Sequence, residues 1–199
     1  MNLSHWILVI LWIIYYAVHS ILASSSIKVF FKRILGKNYR YYRLAYTIFA
    51  TITLIALLLF QYSFESPLLL DSAWLQYSSV LLLVMPGLFI MFISLKKYFL
   101  LLSGIRSVYM ASSPVELKIE GIHRYVRHPL YSGTILFVAG LFFIFPTLSN
   151  LIAVALLTGY VILGIVFEEK KLMKEFGANY KEYKLKVPGL IPGFKFKKR

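Results

Sequence analysis

Five long apolar runs, at residues 6–23, 44–62, 75–95, 130–145 and 151–167, restrict this chain more than any other feature. A helix needs about 20 apolar residues to cross a bilayer's hydrocarbon core, with a range of about 17–25. The first three runs qualify outright. The last two hold 16 and 17 residues and are joined only by Pro146-Thr-Leu-Ser-Asn150, so they read as one tight antiparallel hairpin. The expected fold class is all-α: a polytopic membrane protein of five transmembrane helices, with a C-terminal helical hairpin and a cytoplasmic tail. The first run starts without Lys or Arg and is long for the apolar part of a signal peptide, so it reads as a span.

Composition agrees. The chain is 59% hydrophobic and 15% charged, against about 25% charged in ordinary globular domains. That excludes a soluble domain, a disordered chain and a disulfide scaffold. With no cysteine, the chain supplies no disulfide, zinc–thiolate site or cysteine nucleophile. The net charge of +14 is distributed by loop. Residues 24–43 carry six bases and no acid, residues 63–74 two acids and no base, and residues 146–150 no charge. Residues 96–129 carry six bases and two acids, and the tail from 168 to 199 carries ten bases and four acids. Positive and non-positive segments alternate at every crossing. The positive-inside rule then puts the N-terminus outside and the C-terminus in the cytoplasm. The expected partner of these cations is a bilayer with an anionic inner leaflet, not nucleic acid. Tyr15, Tyr16, Tyr62, Trp74 and Tyr77 fall near span ends, as interfacial anchors do. The mixed stretch around Phe99–Leu102, Gly104 and Ser112-Ser-Pro-Val-Glu116 reads as an interfacial piece and a turn. With no repeat and no linker, residues 1–199 read as one membrane domain. Gly87, Gly140 and Gly164 are expected helix contacts.

The chemistry concentrates at Gly121-Ile-His-Arg-Tyr-Val-Arg-His-Pro-Leu-Tyr-Ser-Gly133, at the cytoplasmic mouth of the fourth span. Pro129 suits the first turn of a helix. A helix starting there aims its free N–H groups and positive dipole end at the interface, beside Arg127 and His128, which favours an anion. Gly133 would admit a ligand or another helix. Glu168 and Glu169 follow the fifth span, where a helix C-terminus would repel them, so a nearby cation is expected. A hairpin returns both features to one membrane side. Anion-binding groups on one wall and carboxylates on the other suit a ligand carrying both charges, such as S-adenosylmethionine. The tail through Val187-Pro188-Gly-Leu-Ile-Pro192 is placed to fold over them as a lid. Blander readings stand beside these. Arg127 and His128 serve equally as interface anchors, the Glu pair as a solvated helix end screened by Lys170 and Lys171, and His19 as a packing histidine.

The pattern Arg127-His-Pro-x-Tyr131, then a helical hairpin, then Glu168-Glu169-x-x-Leu172, Phe176-Gly177-x-x-Tyr180-x-x-Tyr183 and Val187-Pro188 resembles the isoprenylcysteine carboxyl methyltransferase superfamily. That superfamily includes phospholipid N-methyltransferases, methanethiol S-methyltransferases and NnrU-like membrane proteins. Val18-His19-Ser20, Ala23-Ser24 and Tyr42-Arg43-Leu44-Ala-Tyr46 are similar to the NnrU and thiol methyltransferase branch. The resemblance implies a membrane-embedded, S-adenosylmethionine-dependent methyltransferase with its core in residues 121–194. It implies cofactor contacts from Tyr125, Arg127, His128, Pro129, Tyr131, Glu168 and Glu169. The pattern departs from many prenylcysteine-type members, which carry Arg where this chain has Glu175 and Lys186; Lys keeps the charge but loses the planar fork. The Tyr-x-x-Tyr-x-x-x-Val-Pro ending is also similar to sterol reductases, whose chains are much longer.

Methyl transfer at a sulfonium collapses charge, which a dry site favours, and needs no metal and no protein nucleophile. The candidate catalytic residues are His128, Glu169 and His19, the histidines as bases for a thiol or amine acceptor. The expected acceptor is membrane-accessible: an isoprenylcysteine-like carboxylate or a small thiol. The alternatives are phospholipid N-methylation, or a non-enzymatic NnrU-like role. The almost wholly apolar interiors of the second, fourth and fifth spans argue against a transport path.

Overall fold

The computed structural model describes residues 2–102, 117 and 119–193. Among them, all regular structure is helical apart from one isolated bridge between Leu68 and Thr147. The helices are α1 (Leu3–Ala23), α2 (Ser25–Leu35), α3 (Tyr42–Tyr62), α4 (Ala73–Ser79), α5 (Met85–Leu102), α6 (Pro129–Ile144) and α7 (Leu148–Lys186). Short 3-10 turns cover Gly36–Tyr41 and Gly121–Arg124, and a π-helical turn, Val80–Val84, links α4 to α5. Four of these helical stretches are long and apolar enough to cross a membrane, and α6 is a shorter apolar helix of 16 residues. The molecule is a multi-pass, all-α membrane protein. The mixed region beyond Leu102 and the basic ending Lys195–Arg199 lie outside the described residues.

The described residues form two compact units. The first, up to Pro67, is built on α1 and α3. Asn2 and His5 close a capping box at the start of α1, satisfying N–H groups that a helix end leaves unpaired. The buried Trp12 indole donates to Gln61 Oε1 at 3.1 Å, and the Tyr42 hydroxyl donates to the Leu22 carbonyl at 2.7 Å. Ser24 ends α1 and caps α2 through its hydroxyl, so the chain turns sharply into an amphipathic helix.

The second unit spans residues 68–97 and 117 onward. Here α6 packs against the π turn and α4, and against α7. Glycine sets the closest approach. A Cβ on Gly87 would stand 2.7 Å from the Phe137 nitrogen, and one on Gly133 would stand 2.9 Å from the Gly87 carbonyl oxygen. Gly140 meets Val84 in the same way. In lipid such small residues let backbones pack where no hydrophobic gain drives association. Gly87 and Gly140 are therefore the expected contacts. Gly164 is not: nothing lies within 4 Å of its Cβ position. The π turn precedes Pro86, which lacks an N–H and crowds the carbonyl four residues back, and the wider turn absorbs that mismatch.

The hairpin turn is three residues long. Thr147 caps α7 through its hydroxyl, and Asn150 Nδ2 donates to the Phe145 carbonyl at 2.7 Å. The placement of Glu168 and Glu169 at a helix C-terminus is corrected here. Helix α7 continues well past Phe167 and ends at Lys186, because Glu168 to Phe176 is a run of good helix formers. The break comes at Gly177, with φ 52 and ψ −123, a backbone conformation that favours glycine.

Candidate functional site

The break at Gly177 decides what Glu169 meets. In an unbroken helix Lys184 would lie about 22 Å along the axis from Glu169, at 1.5 Å per residue. Instead the Lys184 ammonium pairs with Glu169 Oε2. The segment after Gly177 folds back on the one before it. Buried Tyr180, Tyr183 and Val187 pack with Leu172, Met173 and Phe176, and the Tyr183 hydroxyl donates to the His123 carbonyl at 2.7 Å.

Arg127 lies opposite. Its Nε donates to Glu169 Oε1 at 2.9 Å and its Nη2 to the same oxygen at 2.6 Å. Nη1 donates to the carbonyls of Lys184, at 3.1 Å, and Val187. The main chain continues the strap. The Arg127 N–H donates to the Pro188 carbonyl at 2.9 Å and the His128 N–H to that of Gly189 at 3.0 Å. Ser132 Oγ donates to the Leu190 carbonyl at 2.6 Å. The tail is thus fastened along the mouth of α6 at three successive points.

His128 caps the start of α6, with Pro129 buried at the first helical position. The His128 ring is buried between the two carboxylates: Nε2 lies 3.3 Å from Glu169 Oε1 and Nδ1 lies 3.7 Å from Glu168 Oε2. Tyr131 stacks on the ring at 5.8 Å between centroids, with the Glu168 carboxylate beside its hydroxyl. Burial by itself would push the Glu169 carboxyl up. Hydrogen bonds from His128, Lys184 and Arg127, with the Arg127 charge, outweigh it and hold the group well below its ordinary 4.5. Burial, and then the Glu169 charge, push the Tyr180 phenol up. Its hydroxyl is buried and has no hydrogen-bond partner among the described residues.

Of the sequence-derived residues, Arg127, His128, Pro129, Tyr131, Glu168 and Glu169 come together. Tyr125 is exposed on the 3-10 side of the mouth. His19 belongs to the first unit, where its ring meets the Tyr46 hydroxyl at 2.9 Å. Sequence reasoning passed over Lys184 and Ser132. The available signal was Gly177: a glycine in a helix-forming stretch marks a reversal that turns Lys184 back toward Glu169. The two carboxylates differ. The Glu169 side chain is 10% exposed and committed to three partners, whereas that of Glu168 is 44% exposed. Four of the five Arg127 donors are spent on Glu169 and the tail, so Arg127 clamps the site, and the half-open face is made by Glu168, Tyr131 and the start of α6.

A family model described as phospholipid methyltransferase matches residues 75–179, more than half of the chain. The chain is 36% identical over 98 residues to a methanethiol S-methyltransferase of Crocosphaera subtropica, covering 46% of this chain and 37% of that protein. It is 33% identical over 98 residues to methanethiol S-methyltransferase 2 of Bradyrhizobium diazoefficiens, covering 46% and 36%. It is 35% identical over 77 residues to the protein-S-isoprenylcysteine O-methyltransferase of Schizosaccharomyces pombe, covering 38% and 33%. The chain thus spans about a third of the length of these curated relatives. No solved structure matches it. With a matching model that takes in α4, α5, α6 and most of α7, the chain belongs to the phospholipid methyltransferase family.

Proposed function

We propose that this chain is an integral-membrane methyltransferase that uses S-adenosylmethionine, with its reaction centre at the mouth of α6. The observation that carries the proposal is the arrangement of His128 between Glu168 and Glu169 under a tail strapped to Arg127. The residues present suit that cofactor. Glu168 offers a half-exposed carboxylate to an ammonium or ribose hydroxyls. The N–H groups of Leu130 and Tyr131, at the second and third helical positions, have no carbonyl partner inside the helix and suit a carboxylate. The orphan Tyr180 hydroxyl in the same cluster is a further polar group that a ligand or water would pair.

When bound, S-adenosylmethionine supplies a methyl group on a sulfonium, open to in-line displacement. Glu169, held as a carboxylate by three partners, is a poor proton acceptor, and its role is to orient His128. With Nε2–H donated to Glu169, His128 Nδ1, on the Glu168 side of the ring, is the nitrogen that accepts the proton of a thiol. The imidazolium that forms donates to both carboxylates. His19, beside Tyr46, is the second candidate base. Tyr131 holds Glu168 and the His128 ring in register. The strapped tail excludes water, which strengthens each charge interaction in the site.

For the acceptor we favour a small thiol over an isoprenylcysteine carboxylate, because several relatives are named methanethiol S-methyltransferases. For topology we favour an outside N-terminus and a cytoplasmic C-terminus, which puts the site at the inner leaflet. We treat residues 1–199 as one membrane protein with its cofactor-binding core in 121–194. The test is incubation of protein-bearing membranes with methyl-labelled cofactor and methanethiol, a prenylcysteine or an aminophospholipid. Label is expected in the thioether. Label in none of the three products favours the non-enzymatic reading. Titration calorimetry with Glu168→Gln and His128→Ala checks the site, and undiminished cofactor binding in both overturns it.

A further inference from the structure

Helices α1 to α3 lie outside the family match, and they line a cavity to which no residue of the Arg127–Glu169 cluster contributes. A cavity of 370 Å³ runs between α1 and α3, from Leu11 to Leu22 on one wall and from Tyr46 to Phe60 on the other. The lining is almost wholly apolar. Its main polar group is the Tyr46–His19 pair toward one end. A wider cavity of 650 Å³ adjoins it, and Leu22, Tyr46 and Phe49 line both. Phe31 and Leu35 of α2 and Asn38 and Tyr41 of the following turn line it too, with Tyr42 and Ala45 of α3.

Length and charge identify an occupant. Leu11 to Leu22 rises about 16 Å along the helix, roughly half of the ~30 Å hydrocarbon core. The groove therefore has the depth of one leaflet. The segment lining its wide end carries Lys28, Lys32, Arg33, Lys37 and Arg40, with no acid anywhere in residues 24–43. The Arg40 guanidinium donates to the Tyr41 hydroxyl at 2.7 Å and lies 4.7 Å from the centre of that ring. Because Tyr41 lines the cavity, this cation stands by its mouth. Helix α2 is itself amphipathic. Phe30 and Ile34 are exposed on one side and Lys28, Lys32 and Arg33 lie on the other, the pattern of a helix in the headgroup layer.

We propose that the groove between α1 and α3 binds one anionic phospholipid, with an acyl chain between the helices and the phosphate on the cations of α2 and the turn after it. The headgroup is anionic, not zwitterionic, because the segment offers cations and no carboxylate to receive an ammonium. This inference does not rest on the methyl-transfer reading, although His19, its second candidate base, lines the same groove.

The test uses the full chain in detergent, incubated with equal phosphatidylglycerol and phosphatidylcholine and read by native mass spectrometry. One phosphatidylglycerol per chain is expected, retained at least tenfold over phosphatidylcholine. The triple variant Lys32→Gln, Arg33→Gln and Arg40→Gln, altered only at exposed positions, is expected to lose that preference. Ala50→Trp, which fills the narrow cavity, is expected to lose the bound lipid, with circular dichroism reporting that it is folded. Equal retention of the two lipids by the unaltered chain overturns the proposal. So does an unchanged preference in the charge variant, or full phosphatidylglycerol retention in a folded Ala50→Trp.

Discussion

Glu169 accepts hydrogen bonds from Arg127, Lys184 and His128 at once, and removing one member of a buried set leaves the others uncompensated. Glu169→Ala is expected to destabilise the protein by about 3–5 kcal/mol, read as a lower denaturation midpoint in detergent. The pH dependence has a definite sign. Native Glu169 titrates far below its ordinary 4.5, so its contribution is fully present above about pH 4.5 and is lost as pH falls further. Thermal melts between pH 6 and pH 3 should show a steeper acid loss in the unaltered protein than in Glu169→Gln. Glu168 is half-open, and its neighbours in the cluster are Tyr131 and the His128 ring, 3.7 Å away. Glu168→Gln should therefore leave the melting temperature nearly unchanged while weakening cofactor binding about tenfold or more, the scale of one hydrogen bond to a charged group. Calorimetry reads both changes on one sample. A large stability loss in that variant would mean that Glu168 serves the fold.

At the scale of elements, two kinds of glycine behave differently. Gly87 lies where α5 and α6 cross, with backbone atoms within 3 Å of a Cβ. Gly164 faces open space on α7. Gly87→Ala is expected to cost about 1–3 kcal/mol, as overpacking does, whereas Gly164→Ala should be neutral or slightly stabilising, since Ala is the better helix former. Gly177 is a third case: nothing crowds its Cβ, yet its φ is 52. Gly177→Ala should cost about 1–2 kcal/mol through backbone strain alone, and should loosen the Lys184 arm. The span boundaries were legible because apolar runs change abruptly at interfaces. The run at 44–62 became α3 at Tyr42–Tyr62, and Pro129 opened α6 where proline suits a first turn. The extension of α7 to Lys186 was misread, because charged residues past Phe167 look like a loop when hydropathy is the only guide. Helix propensity carried the opposite signal.

At the scale of the whole molecule, charge placement makes a claim about sidedness that labelling can check. The chain has no cysteine, so single introduced thiols report without background. Asn38→Cys, in the basic turn, is expected to resist an impermeant maleimide in right-side-out vesicles. Ser63→Cys, beyond the other end of α3, is expected to react. The opposite pattern would invert the topology and move the site to the outer leaflet.

The order of residues was enough to specify an all-helical membrane fold, the hairpin and the meeting of an Arg-His-Pro mouth with a Glu-Glu pair. Each of these follows from local rules: the cost of an unpaired peptide group in hydrocarbon, the geometry of a helix start, and the antiparallel return forced by a short turn. The division of labour inside the cluster was not contained in those rules. Arg127 faces inward and is spent, Glu168 is half-open, and Lys184 arrives from fifteen residues away. These outcomes depend on one reversal at Gly177 and on which carbonyls the tail presents, because a side chain's partners are set by distances in three dimensions that spacing along a helix does not encode.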